Sequence, residues 1–218
     1  MVTDRHLMFV RHGETVGNQE QIAHGQSESP LNDRGIEQAR TTAAMLMSWP
    51  RQYHRVYTSP FSRAYDTGKH ISDALQLPIH VHEGLMEGFL GDWECVTYER
   101  LSKFGFARHS IKDDDFTGHN GESPNQLAER MIHAITEIRS NHSQENIIIV
   151  SHGAAIAHAL ASLLGTKPVF GYQYLMHNCA VTEVTFSPEA QMEYFNSYDH
   201  LPEDLKVGPA TSDKNSRK

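Results

Sequence analysis

Two uninterrupted apolar runs limit the folds open to this chain more than any other feature of its sequence. Residues 7–10 read LMFV and residues 147–150 read IIIV, with no polar residue inside either run. Strands that are buried on both faces have this composition, and such strands occur in parallel sheets covered by helices. Segments with apolar residues at helical spacing, such as 33–46 and 124–140, alternate with the predicted strands. The alternation predicts an α/β protein with three layers, α/β/α, around a mostly parallel sheet.

Single residues indicate where three of the predicted helices start. Asn32 and Ser123 are suited to cap the helices that follow them. Pro60 is expected in the first turn of a third helix, where the missing N–H of proline is tolerated.

The length and composition of the chain predict a single domain. With 218 residues, of which 39% are hydrophobic, the chain can bury one core of ordinary size. We expect this domain to span residues 1–200. Residues 105–122 are polar and rich in turn formers, which is typical of an insertion or lid. The polar residues 201–218 are expected to form a disordered tail.

The charge of the chain argues against a nucleic-acid partner. The sequence has 19 lysines and arginines against 27 aspartates and glutamates, which gives a formal net charge of −8. A protein that neutralises many nucleic-acid phosphates normally presents a basic face, and this sequence has no long basic run. Any anion must therefore be bound by a few well-placed cations.

Neither the N-terminus nor the cysteines indicate export or membrane insertion. The apolar run before Arg11 has four residues, too few for a signal-peptide core or a membrane span. Cys95 and Cys179 have no partner at the spacing of a metal or redox motif, so we expect reduced thiols. These features predict a cytoplasmic protein with no membrane partner, and we make no prediction of its oligomeric state.

Charged and polar residues follow the predicted strands at the points where the strands end. In chain order they are Arg11 and His12, Ser59 with Arg63 one turn later, Glu83 and Glu87, and His152 and Gly153. Ligands of open α/β sheets bind beyond the carboxyl ends of the strands, so we expect these residues to share one site. The planar guanidinium of arginine matches a phosphate group, whereas two arginines repel a metal ion. The pattern predicts a phosphate site with no metal.

The 15 histidines of the chain raise the alternative of a metal site. His80 and His82 are two residues apart on a predicted strand, so their rings point to the same face. No HExxH motif follows, and the sequence indicates no third ligand. We therefore keep the prediction of a metal-free site.

Four blocks of sequence occur in a specific order along the chain. They are LMFVRHGETVGN, SPFSRAYDT, LMEGFLGDWE and IIIVSHGAA. An isolated Arg-His-Gly triplet would be a weak signal, whereas four ordered blocks with suitable flanking strands are specific. Over residues 5–186 the chain resembles the histidine phosphatase superfamily, which includes the cofactor-dependent phosphoglycerate mutases. The resemblance implies a phosphoglycerate mutase-like fold and a small phosphorylated substrate.

The resemblance also implies a role for each catalytic residue. His12 would be the nucleophile that attacks phosphorus and becomes a phosphohistidine. Arg11, Arg63 and His152 would hold the non-bridging oxygens and offset charge in the transition state. Glu87 would protonate the leaving alkoxide and then take a proton from the attacking water. Because arginine and histidine supply the charge that a metal would otherwise give, no cofactor is expected.

Two further residues belong to the implied phosphate site. Asn18 would donate to a phosphate oxygen, and the turn at Gly153 would let the backbone approach the ligand. Spacing alone does not choose the proton donor among four glutamates, which are Glu83, Glu87, Glu94 and Glu122.

The chain also departs from the family pattern at two positions. It has Glu28 where the family often has aspartate, and Cys95 where the family often has glycine after Trp-Glu. Both positions lie in segments that shape substrate specificity, so no particular phosphorylated metabolite is predicted.

Three functions are compatible with these residues. The first is a phosphomonoesterase of the histidine acid phosphatase type, in which water accepts the phosphoryl group. The second is a phosphoglycerate mutase, but mutases commonly have a longer insertion after the glutamate block than residues 96–122, and the NGES sequence at 120–123 is like the phosphatase branch. The third is a non-catalytic protein that binds a phosphorylated ligand, which would be expected to lack a catalytic group. We therefore predict a metal-independent phosphomonoesterase with a phosphohistidine intermediate.

Overall fold

The computed structural model describes residues 5–104, 112–187 and 189–206. In this part of the chain a six-stranded sheet lies between two layers of helices, which confirms the predicted α/β/α architecture. The strands are β1 (Arg5–Arg11), β2 (Ile22–Ala23), β3 (Arg55–Thr58), β4 (Ile79–Val81), β5 (Val96–Thr97), β6 (Ile147–Ser151), β7 (Val181–Phe186) and β8 (Ala190–Ser197). The α-helices are α1 (Val16–Gln19), α2 (Asp33–Met47), α3 (Ser62–Leu75), α4 (Tyr98–Lys103), α5 (Pro124–Asn141) and α6 (Gly153–Leu163).

The main sheet is mostly parallel, as predicted. Its strand order is β4-β3-β6-β1-β7-β8. The first four of these strands are parallel to one another, and β7 and β8 form an antiparallel hairpin at one edge. Strands β2 and β5 form a separate two-stranded antiparallel ribbon.

The core explains why the two apolar runs have no polar residue. On β1, Leu7 and Phe9 pack on one face of the sheet with residues of α5 and α6. Met8 and Val10 pack on the opposite face with residues of α2 and α3. Successive side chains of a strand point to opposite faces, so a strand covered on both sides must be apolar at every position.

The helix starts agree with the predicted caps at two positions and differ at a third. Asn32 caps α2 by accepting from Gly35 N, and Ser123 forms a capping box at α5. Pro60 was expected in the first turn of α3, but α3 begins at Ser62. The reason is that the Glu28 carboxylate accepts from both the backbone N–H and the hydroxyl of Ser62, and so caps the helix there.

The end of the domain differs from the expected boundary at residue 200. Leu201 and Leu205 are buried and pack with Ala39 and Cys179, so the chain up to residue 206 is part of the packed structure rather than a tail. The expected disorder of 207–218 lies outside the described residues.

The expected insertion at residues 105–122 is described in part. Residues 105–111 lie outside the described residues. In the part that follows, the rings of Phe116 and His119 stack against Trp93. A lid role for this segment and the organisation of the chain as a single domain stay predictions. Among the described residues, no helix combines the length and apolar character needed to cross a membrane.

Candidate active site

Three neighbouring strands end at the same edge of the sheet and place polar residues side by side. β3, β6 and β1 are adjacent and parallel, and they are followed by Ser59, His152 and His12. The backbone hydrogen bonds between these strands continue one residue past the strand ends. Ser59 N donates to Val150 O (3.1 Å), and His12 N donates to Ser151 O (3.0 Å). The predicted convergence of strand-end residues is therefore present in the structure.

The glycine after His12 is required by close packing of the backbone. A Cβ atom on Gly13 would lie 2.4 Å from the carbonyl oxygen of Gly35 on α2. Contacts below 3 Å do not occur for a Cβ atom, so only glycine allows the chain to turn here against the helix. This contact fixes the backbone directly after the candidate nucleophile.

The His12 ring is buried and held in one tautomer. Its Nδ1 lies 2.7 Å from Gly13 O, and because a carbonyl only accepts, the proton must be on Nδ1. Nε2 then carries the lone pair, and it has no hydrogen-bond partner among the described residues. Burial lowers the pKa of His12 well below its ordinary value, and the charges of Arg63 and Arg11 lower it further. The ring is therefore neutral near pH 7.

Arg11 is buried beside His12 with an unused donor. Its Nη1 donates to Met176 O (2.6 Å), while its buried Nε has no partner among the described residues. Buried polar groups in native proteins are nearly always paired, so an unpaired guanidinium N–H suits an anionic ligand. A Cβ atom on Gly153 would lie 3.4 Å from this Nε, which shows that the start of α6 packs directly on the guanidinium.

Arg63 is fixed by three acceptors. From the first turn of α3, its Nη1 donates to Ser27 O (2.8 Å), its Nη2 to Gly25 O (2.7 Å) and its Nε to His152 Nδ1 (3.1 Å). Burial lowers the pKa of Arg63, but a guanidinium remains charged at any ordinary pH. The side chain is therefore a fixed cation in the wall of the site.

The loop that supplies these carbonyl groups is arranged around one carboxylate. Glu94 accepts from the backbone N–H groups of Gly25, Gln26 and Ser27 and from the Ser27 hydroxyl, at 2.6–3.2 Å. Its Oε1 also accepts from Leu90 N (3.0 Å). Glu94 thus determines where the Arg63 acceptors lie.

His152 has contacts at both ring nitrogens. Its Nδ1 accepts from Arg63 Nε, so in the neutral ring the proton is on Nε2 and points to Ser59 Oγ (2.7 Å). Burial lowers the pKa of His152 well below its ordinary value, followed by the charges of Arg63, His12 and the arginines nearby. The His12 and His152 ring centroids lie 5.2 Å apart. In this arrangement His152 orients Arg63. The Nε2–H of His152 already points to Ser59, so a phosphate oxygen would have to share this donor with the Ser59 hydroxyl.

Glu87 lies at the N-terminus of α6. Its Oε2 accepts from Ala154 N (3.1 Å), and its Oε1 accepts from Ala155 N (2.8 Å) and Gly88 N (2.9 Å). A helix N-terminus favours an anion, and in the structure that anion is the Glu87 carboxylate. Its charge also acts on the pKa of Arg11 and of Arg63, opposing the effect of burial.

The other candidate glutamates are arranged differently. Glu83 is exposed at the start of a short 3-10 helix, Glu83–Leu85. Glu94 has its oxygens occupied by the loop at 25–27, and Glu122 forms a bidentate pair with Arg130 at 2.8 and 2.7 Å. Among the four, only Glu87 is bonded to the N-terminus of the helix that follows His152.

Asn18 is oriented by a residue that the sequence analysis did not identify. Asn178 is buried, and its Nδ2 donates to His12 O (3.0 Å) and to Asn18 Oδ1 (3.2 Å). Thr15 N donates to the same Oδ1 (3.3 Å), so the Asn18 amide nitrogen faces away from these contacts and has no partner among the described residues. The amide is therefore able to donate to a ligand.

Tyr98 is a second residue that the sequence analysis missed. Burial raises the pKa of its phenol, while the charge of Arg11 lowers it and that of Glu87 raises it. Neither Tyr98 nor Asn178 is in one of the four sequence blocks, so only the folded structure associates them with the site.

The two histidines that raised the alternative of a metal site have other contacts in the structure. The described ranges contain no group of three or more His, Cys, Asp or Glu side chains arranged to hold a metal ion. The His80 ring stacks on Tyr57, and His82 Nδ1 accepts from Gly84 N (3.0 Å). These two rings therefore have contacts of their own within the protein.

The sheet order and the side chains at its edge define a phosphoglycerate mutase-like α/β protein. The chain belongs to the histidine phosphatase superfamily (branch 1), which its residues 7–196 match. Both the fold and the family expected from the four sequence blocks are thus confirmed.

Relatives of known name agree with this membership. The chain is 29% identical over 196 residues to the uncharacterized phosphatase PhoE of Bacillus subtilis (strain 168), covering 89% of this chain and 96% of that one. It is 32% identical over 180 residues to a glucosyl-3-phosphoglycerate phosphatase of Mycolicibacterium vanbaalenii, covering 77% and 79%. A solved structure of phosphoserine phosphatase from Entamoeba histolytica with 3-phosphoglyceric acid is similar with a TM-score of 0.80 and 26% identity, covering 91% and 100%. These relatives support a phosphatase activity.

Proposed function

We propose that this protein is a metal-independent phosphomonoesterase that passes the phosphoryl group of a small phosphorylated metabolite to His12 and then to water. The observation that carries the proposal is the state of the His12 ring. Its Nδ1–H donates to Gly13 O, and burial near two guanidinium groups keeps the ring neutral, so Nε2 offers a lone pair. A neutral imidazole of this kind is a nucleophile near pH 7.

In the first step a P–N bond replaces the ester bond. His12 Nε2 attacks phosphorus, the P–O bond to the leaving group breaks, and the leaving alkoxide takes a proton from the carboxylic acid form of Glu87. Nδ1 keeps its proton and its bond to Gly13 O. The products are phosphohistidine, a free alcohol and the Glu87 carboxylate.

In the second step water replaces the imidazole. The Glu87 carboxylate takes a proton from the attacking water, the P–N bond breaks, and its electron pair returns to Nε2. Glu87 Oε2 accepts one backbone N–H where Oε1 accepts two, so Oε2 retains a lone-pair site for the transferred proton. Inorganic phosphate leaves, and His12 and Glu87 are restored.

The remaining side chains would hold the phosphoryl group. Arg11 offers its unpaired buried Nε–H, and Arg63 provides a fixed positive charge. His152 holds Arg63 and can share its Nε2–H with an oxygen of the ligand, and Asn18 can donate its amide. The start of α6 at Gly153 lies against the Arg11 guanidinium. Because the guanidinium groups offset the charge that develops, this route needs no metal.

The proposal is tested with His12→Ala and a matched histidine variant, His158→Ala. The Nδ1 of His158 contacts a backbone carbonyl in the same way, Pro168 O at 2.6 Å, but His158 is on α6, five residues after the helix start, and does not follow a strand end. With p-nitrophenyl phosphate, we expect His12→Ala to lose activity by roughly 10³-fold or more, as removal of a nucleophile does. His158→Ala is expected to keep activity close to that of the wild type.

A second measurement identifies the intermediate. A reaction with substrate labelled at phosphorus is quenched in alkali, and the label should be found on His12. Inorganic phosphate should be released without a bisphosphate primer. Isomerisation that depends on such a primer would instead indicate a mutase, and a wild type as inert as His12→Ala would indicate a non-catalytic binding protein.

A further inference from the structure

The segment that carries Glu87 is held by a side chain from another helix rather than by regular secondary structure. Residues 86–90 form neither helix nor strand. Arg130, on α5, donates from Nη1 to Gly84 O (3.1 Å) and Met86 O (2.9 Å), and from Nη2 to Glu87 O (3.1 Å). One guanidinium thus fixes three backbone carbonyl groups around the proposed proton donor.

Arg130 is in turn held by a carboxylate. Glu122 accepts from Arg130 Nε (2.8 Å) and Nη2 (2.7 Å), and its Oε2 also accepts from Phe89 N (2.9 Å). Every nitrogen of the guanidinium therefore has a partner. The Arg130–Glu122 pair bonds to the backbone on both sides of the Glu87 side chain, at residues 84–87 and at Phe89.

The same segment lies in close contact with α5. A Cβ atom on Gly88 would lie 3.0 Å from Leu127 Cδ2. From this backbone the Glu87 side chain reaches the N–H groups of Ala154 and Ala155 on α6. The position of the Glu87 carboxylate thus depends on how the segment is fixed to α5.

We infer that Arg130 is a positioning residue for Glu87, and that Glu122 holds Arg130 for this purpose. The inference rests on the proton-donor role proposed above for Glu87. Arg130 has all its nitrogens occupied by the protein, so it acts through the backbone and not on the substrate. Lysine cannot replace it, because a single ammonium group cannot match a carboxylate side-on while also reaching three carbonyl groups.

The inference predicts a loss of activity that depends on the leaving group. An alkoxide needs a proton as it departs, whereas p-nitrophenolate is stable enough to leave without one. A general acid displaced by about 1 Å can cost roughly 10²-fold in rate. A collapsed phosphate pocket would instead slow both kinds of substrate equally.

The test compares kcat/KM for glycerol phosphate with that for p-nitrophenyl phosphate in Arg130→Lys. We expect a loss of roughly 10²-fold for glycerol phosphate and a much smaller loss for p-nitrophenyl phosphate. Arg139→Lys is the matched control, because Arg139 is on the same helix but stacks on the Phe186 ring. Arg139→Lys should not lower kcat/KM for one substrate more than for the other.

Glu87→Gln, measured in the same way, separates this inference from the proposed function. Suppose that Glu87→Gln lowers kcat/KM more for glycerol phosphate than for p-nitrophenyl phosphate, whereas Arg130→Lys lowers both equally. The positioning role of Arg130 is then wrong, and the proton-donor role of Glu87 stands. If Glu87→Gln itself lowers kcat/KM equally for the two substrates, the proton-donor role fails, and the inference fails with it.

Glu122→Gln keeps the test decisive if Arg130→Lys folds poorly, and a double variant tests whether Arg130 and Glu87 serve one function. Glu122→Gln preserves the shape of the side chain but weakens the bidentate pair, and it should show the same selectivity to a smaller degree. The double variant Arg130→Lys/Glu87→Gln should be no slower on glycerol phosphate than Glu87→Gln alone, since both changes remove one function. Fully additive losses would contradict the inference.

Discussion

The pocket and the rim of the candidate site are built in different ways. The pocket comprises Arg11, His12, Arg63 and His152, all buried and all bonded to neighbouring groups at the ends of parallel strands. The rim comprises residues 20–28 and 89–98, which surround the β2–β5 ribbon. Two non-glycine residues of the rim, Gln21 and Cys95, have left-handed backbone with φ of 58° each, and no pocket residue does. The rim tolerates local strain, whereas the pocket leaves its side chains little freedom.

The two regions are nevertheless connected through Glu94. This rim carboxylate orders residues 25–27, and the carbonyl groups of that loop accept from Arg63. The position of a pocket cation therefore depends on a side chain 31 positions away in the sequence. Variation in the rim is expected to be tolerated where it leaves this contact intact.

Among the variants that compare the pocket with the rim, the largest effect is expected from Arg63→Lys in the pocket. Lysine keeps the charge, but it cannot donate at once to Gly25 O, Ser27 O and His152 Nδ1. We expect kcat/KM for p-nitrophenyl phosphate to fall by roughly 10²–10³-fold, as when one transition-state donor is removed.

Arg55→Lys is the matched control for this prediction. Arg55 is on β3, close in sequence to Arg63, but it pairs with Glu145 at the partly exposed surface. Its replacement should leave kcat/KM nearly unchanged. Equal losses in the two variants would show that the fixed geometry of the pocket has no special importance.

The pocket residues could be predicted from the sequence because they follow strand ends. Arg11, His12 and His152 each come directly after a buried run, and the order of the blocks indicated the family. Their partners could not be predicted, because they are distant in sequence. Asn178 contacts His12 and Asn18 across 166 and 160 positions, and no local pattern indicates such a contact.

The fold also has features that local sequence patterns predict and features that depend on contacts between residues distant in sequence. The sheet and the capped helices α2 and α5 follow from local patterns, namely apolar runs and Asn32 or Ser123 at the helix starts. The start of α3 differed because its cap comes from Glu28, 34 residues away. The packing of Leu201 and Leu205 also depends on distant contacts, so a polar composition alone suggested a tail.

A second prediction concerns the pH dependence of stability. The pKa values of His12 and His152 lie well below the ordinary value in the folded protein, chiefly because of burial, and near 6.5 in the unfolded chain. Below about pH 6.5 the unfolded state binds more protons than the folded state, so the free energy of unfolding falls as the pH falls. Well below pH 6.5, each of these histidines should contribute a slope of about 1.4 kcal/mol per pH unit.

Urea unfolding of the wild type, His12→Asn and His24→Asn between about pH 5 and 7 measures this slope. His12→Asn should remove a slope that approaches about 1.4 kcal/mol per pH unit at the acidic end of this range. The rim residue His24 is only partly buried, and its pKa is lowered less, first by burial and then by the charge of Arg63. His24→Asn should therefore reduce the pH slope of the free energy of unfolding less than His12→Asn does. An equal reduction in the two variants would contradict the distinction between pocket and rim.

The smallest effect is expected where the rim departs from its family. Cys95 is exposed and left-handed at a position where glycine is common in the family, so Cys95→Gly should raise the free energy of unfolding by about 0.5–1 kcal/mol. Cys179 is the matched control, because it is also left-handed (φ 55°) but buried, and its N–H donates to Arg11 O. Cys179→Gly should instead lower the free energy of unfolding by about 1–2 kcal/mol, since it removes a buried side chain. Urea unfolding of both variants measures the two changes in the free energy of unfolding. Changes of the same sign would mean that burial does not distinguish these two left-handed positions.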